Sequence, residues 1–378
     1  MRARDLDIVL SGTTGPLNGI TDVPGVEVGM VTLVEDVAQV GGGERGGSAD
    51  GVRTGVTALL PLGRDGVGVS VPAGIFSLNG NGEMTGSHWV HETGSLTGPV
   101  MVTNTHAVGT VHRGVIDWTV AHRPDLAAEW LLPVVAETWD GYLNNINLPS
   151  VRTEHAAAAI DAASSGPVPE GSAGGGTGMV CYGFKGGNGT SSRQVALAGT
   201  TYTVGVLLQC NFGDRRELTI NGVAMGDLDV PDPFADLTWL ERDRWPPGAG
   251  SVIAVVATDA PLTPHQCTAL ARRVPMGLAR TGTTGGHFSG DIFLAFSTGN
   301  PGVLDSGFPV VPSAEAPLRT LQLVPWNCMD DLYAATVQAV EESVLNALVN
   351  NESMIGRLGH EAHALPRDLV QERLRTSH

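Results

Sequence analysis

The chain has 378 residues, 42% hydrophobic and only 16% charged, a balance that supplies a large core and excludes a largely disordered protein. With 39 acidic against 22 basic residues its formal charge is −17, which excludes a surface built for nucleic acid or an anionic membrane, since phosphate recognition draws on clustered Lys and Arg. Four widely spaced cysteines (Cys181, Cys210, Cys267, Cys328) form no C-x-x-C pattern and read as buried thiols in a reducing compartment. No apolar run reaches membrane-spanning length and the basic N-terminus lacks a signal sequence, so the expectation is a soluble, cytoplasmic protein.

The first hundred residues are read as short strands framed by Gly or Pro: GVEVGMVTL, GVTALLPLG, GVGVSVPAG and GPVMVTNT. Residues 125–145 (DLAAEWLLPVVAETWDGYLNN) read as mixed helix and loop. SVRTEHAAAAIDAASS reads as a helix with Ser150 as N-cap. A glycine-dense segment follows, residues 171–197, and residues 214–250 carry loop signals, Pro231, Pro233, Pro246 and Pro247 among many acids. Beyond Ser251 the pattern sharpens. SVIAVVATDA is a strand. TPHQCTALARRVPMGLART is a helix capped by Thr263, with Pro264 in its first turn. GDIFLAFST is a second strand, and residues 329–350 form a long helix with an apolar stripe of Leu332, Val337, Val340, Val344 and Leu348. Sheets sandwiched between helices fit this order.

The chemistry concentrates where loop meets strand. The sequence WPPGAGSVIAVV places Ser251 after a bendable Pro/Gly loop and before a wholly apolar strand, and Gly250 has no side chain to hinder attack on its carbonyl. No G-x-S-x-G elbow exists anywhere in the chain. A Gly250–Ser251 bond so placed can be cut by its own hydroxyl through an N-to-O acyl shift. The freed α-amine, with an unperturbed pKa of about 7.7–8.0, then serves as base for the same hydroxyl. In HFSGDIFLAF, strand alternation puts Ser289 and Asp291 on one face, where a hydroxyl and a carboxylate can support a nucleophile and its amine. Asn211 ends an apolar strand, LLQCN, as a turn residue or as an amide donor to an oxyanion. The glycine-rich segment lacks the G-x-x-x-x-G-K-[ST] pattern, Lys185 being followed by two glycines, and reads as a tight turn beside the cleft. The pairs His88/His91 and His360/His363 do not form H-E-x-x-H, so neither metal nor cofactor is expected.

Eight stretches together resemble the β-aminopeptidase/L-aminopeptidase D-esterase family of the DmpA–BapA type: RARDLDI, LNGITDVPGVEVG, GNGEMTG, VMVTNTHAVG, PVVAETWDGYLNN, GGGTGMVCYGFKGGNGTSSR, GAGSVIAVVATDAPLTPHQ and ARTGTTGGHFSGDIFLAFST. The resemblance implies an α/β fold, a four-layer αββα sandwich like that of the N-terminal nucleophile hydrolases with different connectivity. It also implies a single domain, 1–378, that processes itself into an α-chain 1–250 and a β-chain 251–378. These stay associated, in an oligomer expected to be a homotetramer. By resemblance Ser251 is the nucleophile, Ser289 and Asp291 its supporting hydroxyl and carboxylate, and Asn211 the oxyanion donor. Glu137 binds the substrate's free amine, and Trp139 lies in the substrate site where some relatives carry Tyr. The chain departs from the pattern at Asp291, where some β-peptide-cleaving members have Glu, and at the bulky His287 and Phe288. The implied activity is removal of N-terminal residues, α or β, L or D, from short peptides, amides and esters. Three other readings remain open from the residues: an amidase of ω-amino acid oligomers, an acyltransferase similar to ornithine acetyltransferase, and a non-enzymatic binder of small anions.

Overall fold

The computed structural model describes residues 1–37, 50–235, 249–309 and 311–377; Pro246 and Pro247 lie outside the described residues. In chain order the elements begin with β1 (Glu27–Val37), β2 (Asp50–Leu60), β3 (Val71–Ser77), α1 (Ser87–Thr93), β4 (Ser95–Leu96) and β5 (Val100–Asn104). Then come α2 (Val108–His122), β6 (Val134–Thr138), α3 (Thr153–Asp161) and the small hairpin β7 (Val180–Cys181) and β8 (Phe184–Lys185). The long strands β9 (Gly187–Leu197) and β10 (Thr200–Asn211) precede a second small hairpin, β11 (Thr219–Ile220) and β12 (Val223–Ala224). The C-terminal part holds β13 (Gly250–Thr258), α4 (Pro264–Ala271), α5 (Val274–Ala279), β14 (Ser289–Ser297) and α6 (Asp330–Val349). It closes with β15 (Met354–Ile355), β16 (Glu361–Ala362) and α7 (Arg367–Thr376).

Among the described residues two large sheets form beside the two-stranded pairs β7-β8, β11-β12 and β15-β16, one in the order β1-β2-β5-β6 and one in the order β4-β3-β14-β13-β10-β9. Their inner faces pack together: Val28, Leu59, Val102 and Ala136 of the first meet Ile75, Leu207, Ile253 and Leu294 of the second. The outer face of the first sheet (Val56, Ala58, Met101, Val135) is covered by Val111, Val115 and Trp118 of α2 and by Ala156 and Ile160 of α3. The outer face of the second (Val252, Ala254, Val256, Phe293) is covered by Leu270 of α4, Leu278 of α5 and Val340 and Val344 of α6. The result is the expected αββα sandwich. Strand β13 is buried on both faces, which is why its sequence is an unbroken apolar run rather than an alternation. It pairs parallel with β14, the connection being made by α4 and α5.

Several local expectations are corrected. The segment 125–145 contains β6, a buried five-residue strand, and not only helix and loop. The helix α3 starts at Thr153 with Arg152 at its N-cap, so Ser150 caps nothing. The stretch after Thr263 is two helices, broken at Arg272 and Arg273. The strand expected from Gly66 starts only at Val71, after turns. Beyond its glycine-rich turn the glycine-dense segment ends in the strand β9, Gly187–Leu197. Val337 is half-buried at the margin of the α6 stripe. Cys328 is exposed, while Cys181, Cys210 and Cys267 are buried; all four are free. Among the described residues no helix is long and apolar enough to cross a membrane.

Candidate active site

The ends of β10, β13 and β14 meet at one edge of the sandwich, and register fixes which side chains can act together. Ser251, the second residue of β13, lies opposite Asn211 in the antiparallel β10 pair and opposite Gly290 in the parallel β14 pair. Along β13, Ile253, Val255 and Ala257 face the space between the sheets. By the two-residue repeat Ser251 shares that face, and Asn211 shares it with Leu207. Ser289 and Asp291 share the opposite face with Phe293 and Ala295, flanking Gly250 and Val252. The Asp291 carboxylate accepts a main-chain hydrogen bond from Val252, so the pair lies beside the β13 backbone and on the face opposite the Ser251 hydroxyl.

Each side chain has defined partners. The Trp139 N–H donates to Ser251 Oγ at 3.3 Å, while the Trp139 ring packs toward Tyr142, Leu143 and Val180. It is the main chain of Trp139, then, that meets the Ser251 hydroxyl. Asn211 Oδ1 accepts from the Val180 N–H at 2.9 Å, and no acceptor holds Nδ2 among the described residues, in a residue whose register partner is Ser251. Ser289 Oγ donates to Asp291 Oδ1 at 2.5 Å, and Asn79 Nδ2 donates to Asp291 Oδ2 at 3.0 Å. Burial raises the Asp291 carboxyl above the usual carboxylate range, against these hydrogen bonds, which favour the charged form. Among the described residues no histidine hydrogen-bonds Ser251, so the hydroxyl has no imidazole base.

Two glycines are dictated by close approach. A Cβ on Gly250 would lie 2.0 Å from the Asn211 carbonyl oxygen, and one on Gly290 would lie 2.3 Å from that of Asn81. The Asn81–Gly82 loop therefore sits directly on β14 beside Ser251. Glu137, at the end of β6, is 2% exposed. Its Oε1 accepts from the Glu83 N–H at 3.0 Å and its Oε2 from the Thr105 hydroxyl. Gly82 lies against the same carboxylate, so one loop links Glu137 to the Ser251 edge. Burial raises the Glu137 carboxyl, and no Lys or Arg pairs with it among the described residues.

Sequence reading did not find Asn79, Glu83, Thr105 or the Val180 amide, all held by loops or by backbone. Asn104, the last residue of the buried strand β5, and Thr105 directly after it were the one visible signal. The paired histidines do not converge: His360 stacks on Tyr142 at 4.8 Å, and among the described residues no group of three or more His, Cys, Asp or Glu could hold a metal ion.

The fold defines the class, a hydrolase with the N-terminal nucleophile hydrolase fold. The model of Peptidase family S58 matches residues 18–362. The chain is 45% identical over 370 residues to beta-peptidyl aminopeptidase BapA of Sphingosinicella microcystinivorans, covering 97% of this chain and 89% of the relative. It is 43% identical over 375 residues to the protein of the same name from Sphingosinicella xenopeptidilytica, with the same coverages. The solved L-aminopeptidase D-Ala-esterase/amidase of Ochrobactrum anthropi, described as a prototype for the serine aminopeptidases and a variant of the Ntn hydrolase fold, superposes with a TM-score of 0.87. It shares 42% identity, over 100% of this chain and 98% of that one. The chain belongs to peptidase family S58 and is a serine aminopeptidase.

Proposed function

We propose that the chain cuts its own Gly250–Ser251 bond and then removes N-terminal residues, β or α, from short peptides, amides and esters. Ser251 Oγ attacks the carbonyl of the substrate's first residue. The freed Ser251 α-amine, held by the Ser289–Asp291 pair on the far face of the strand, accepts the hydroxyl proton and returns it to the leaving amine. Asn211 Nδ2 stabilises the oxyanion, and water releases the acyl group. Glu137 receives the substrate ammonium. The two chains, 1–250 and 251–378, stay interlocked because β13 lies between β10 and β14 in one sheet. We further propose a homotetramer located in the cytoplasm, the latter supported by four free cysteines.

The observation that carries this reading is the position of Ser251 on the central strand, with the Asn211 amide on one face, a hydroxyl–carboxylate pair on the other and no hydrogen-bonded imidazole among the described residues. The buried Glu137, with no Lys or Arg paired to it among the described residues, favours an amine-bearing substrate over a cyclic amide or an acyl-transfer donor. The test compares a β-aminoacyl anilide with its N-acetylated form. Turnover of the free amine alone is expected, and equal turnover of both would contradict the aminopeptidase role of Glu137.

A further inference from the structure

Lys185, at the end of β8, is fully buried, and among the described residues no carboxylate pairs with it. Its Nζ donates to the carbonyls of Met179 at 3.1 Å and Gly186 at 2.8 Å. Asn351 Nδ2 donates to the same Gly186 carbonyl at 2.9 Å and to the Lys185 carbonyl at 3.2 Å, fixing the turn from behind. The Met179 carbonyl belongs to the peptide whose N–H is that of Val180, and this N–H donates to Asn211 Oδ1 at 2.9 Å. A continuous chain of donors thus runs from a buried ammonium, through one peptide group, to the side-chain amide opposite Ser251.

We propose that Lys185 is a positioning residue of the oxyanion site: through the Met179–Val180 peptide it orients the Asn211 amide and strengthens Nδ2–H as a donor to the oxyanion formed at Ser251. The inference rests on the assignment of Asn211 as that donor. Its chemistry is additive along the chain. An ammonium on a carbonyl makes the N–H of the same peptide a stronger donor. That N–H on Oδ1 in turn makes Nδ2–H a stronger donor, and every dipole points its positive end at the reaction centre. Orientation follows as well, because the Val180 N–H can be met only by the oxygen of the Asn211 amide, which forces Nδ2 to the other side. A lysine kept only to satisfy two carbonyls is an expensive solution, since burial without a counter-charge disfavours its charged form. Burial pushes its pKa down to about 7, and among the described residues the other ionisable group that influences it is the Cys181 thiol. A developing oxyanion is the negative charge this arrangement lacks in the resting enzyme.

The test is a double-mutant cycle on the processed enzyme with Lys185→Met, Asn211→Ala and both together. Lys185→Met is expected to lower kcat about tenfold with KM within about twofold, Asn211→Ala to lower kcat further, and the double variant to match Asn211→Ala alone. A folded Lys185→Met enzyme with wild-type kcat, or a double variant whose loss is the product of the two singles, overturns the inference. Unchanged kcat in Asn211→Ala overturns the Asn211 assignment instead, a distinguishable outcome. Should Lys185→Met yield no processed enzyme, the side-chain amide resonance of Asn211 is followed by NMR from pH 6 to 8.5 in the Ser251→Ala chain, which has no free amine at residue 251. A shift of that resonance with a midpoint near 7 is expected; a resonance that does not move refutes the coupling.

Discussion

Replacing Glu137 by Gln isolates the charge of the proposed ammonium site. The substitution is isosteric, and the local hydrogen bonds tolerate it. The retained Oε1 still accepts from the Glu83 N–H, and the new Nε2 donates to the Thr105 hydroxyl, which rotates from donor to acceptor. What is lost is the negative charge facing the substrate amine. A hydrogen bond to a charged group contributes about 1.5–3 kcal/mol, so kcat/KM for a free-amine substrate should fall roughly 10- to 150-fold. The pH dependence carries the same signature. Burial raises the Glu137 carboxyl, so the charged form disappears at a higher pH than for a free carboxylate, and KM of the wild type should climb early as pH falls. In Glu137→Gln that limb should be absent. Initial rates on a β-aminoacyl anilide between pH 5 and 8 read both effects. A variant that keeps the wild-type kcat/KM and the wild-type acid limb would refute the assignment.

Two further outcomes are expected. Gly250→Ala places a Cβ 2.0 Å from the Asn211 carbonyl oxygen at the cleavage junction itself, an overlap whose relief costs about 1–3 kcal/mol and slows self-cleavage roughly 5- to 150-fold. Conversion at the wild-type rate on a denaturing gel would argue against the close approach. Asp140 is fully buried, with Oδ2 lacking a partner among the described residues, and burial pushes its carboxyl up to about 7. The folded chain thus holds a proton that the unfolded chain releases near pH 4. This contribution to stability is complete below pH 4 and is lost as pH rises toward 7, by about 4 kcal/mol. Urea midpoints at pH 4.5 and 7.5 should therefore differ by less in Asp140→Asn than in wild type, and equal differences would contradict the assignment.

The core strands were legible because their chemistry is local. The run at 252–257 is wholly apolar and mostly β-branched after Gly250, that at 292–296 is wholly apolar after Gly290, and they became β13 and β14. Helix α6 showed its stripe, and Ser289 with Asp291 followed from alternation alone. Strand β6 was hidden because only five residues separate Pro133 from Trp139, too few for a period to appear, and so Glu137 could be placed only by resemblance. Helix α2 carries Val111, Val115 and Trp118 at helical spacing, a signal that was present and went unused. The faces of Ser251 and of the Ser289–Asp291 pair depend on register between two strands, which no single segment encodes. Asn79, Thr105 and the Val180 amide act through loops brought together by the fold, and Lys185 looked like a failed phosphate loop until its carbonyl partners were seen.

The central claim, a serine that frees its own amine, is tested most directly by intact mass with N-terminal sequencing of the purified protein. The account predicts two chains, residues 1–250 and 251–378, the smaller beginning at Ser251, and a single uncut species for Ser251→Ala. A wild-type chain that stays whole on long incubation while hydrolysing aminoacyl anilides would contradict it, because the base would then lie elsewhere.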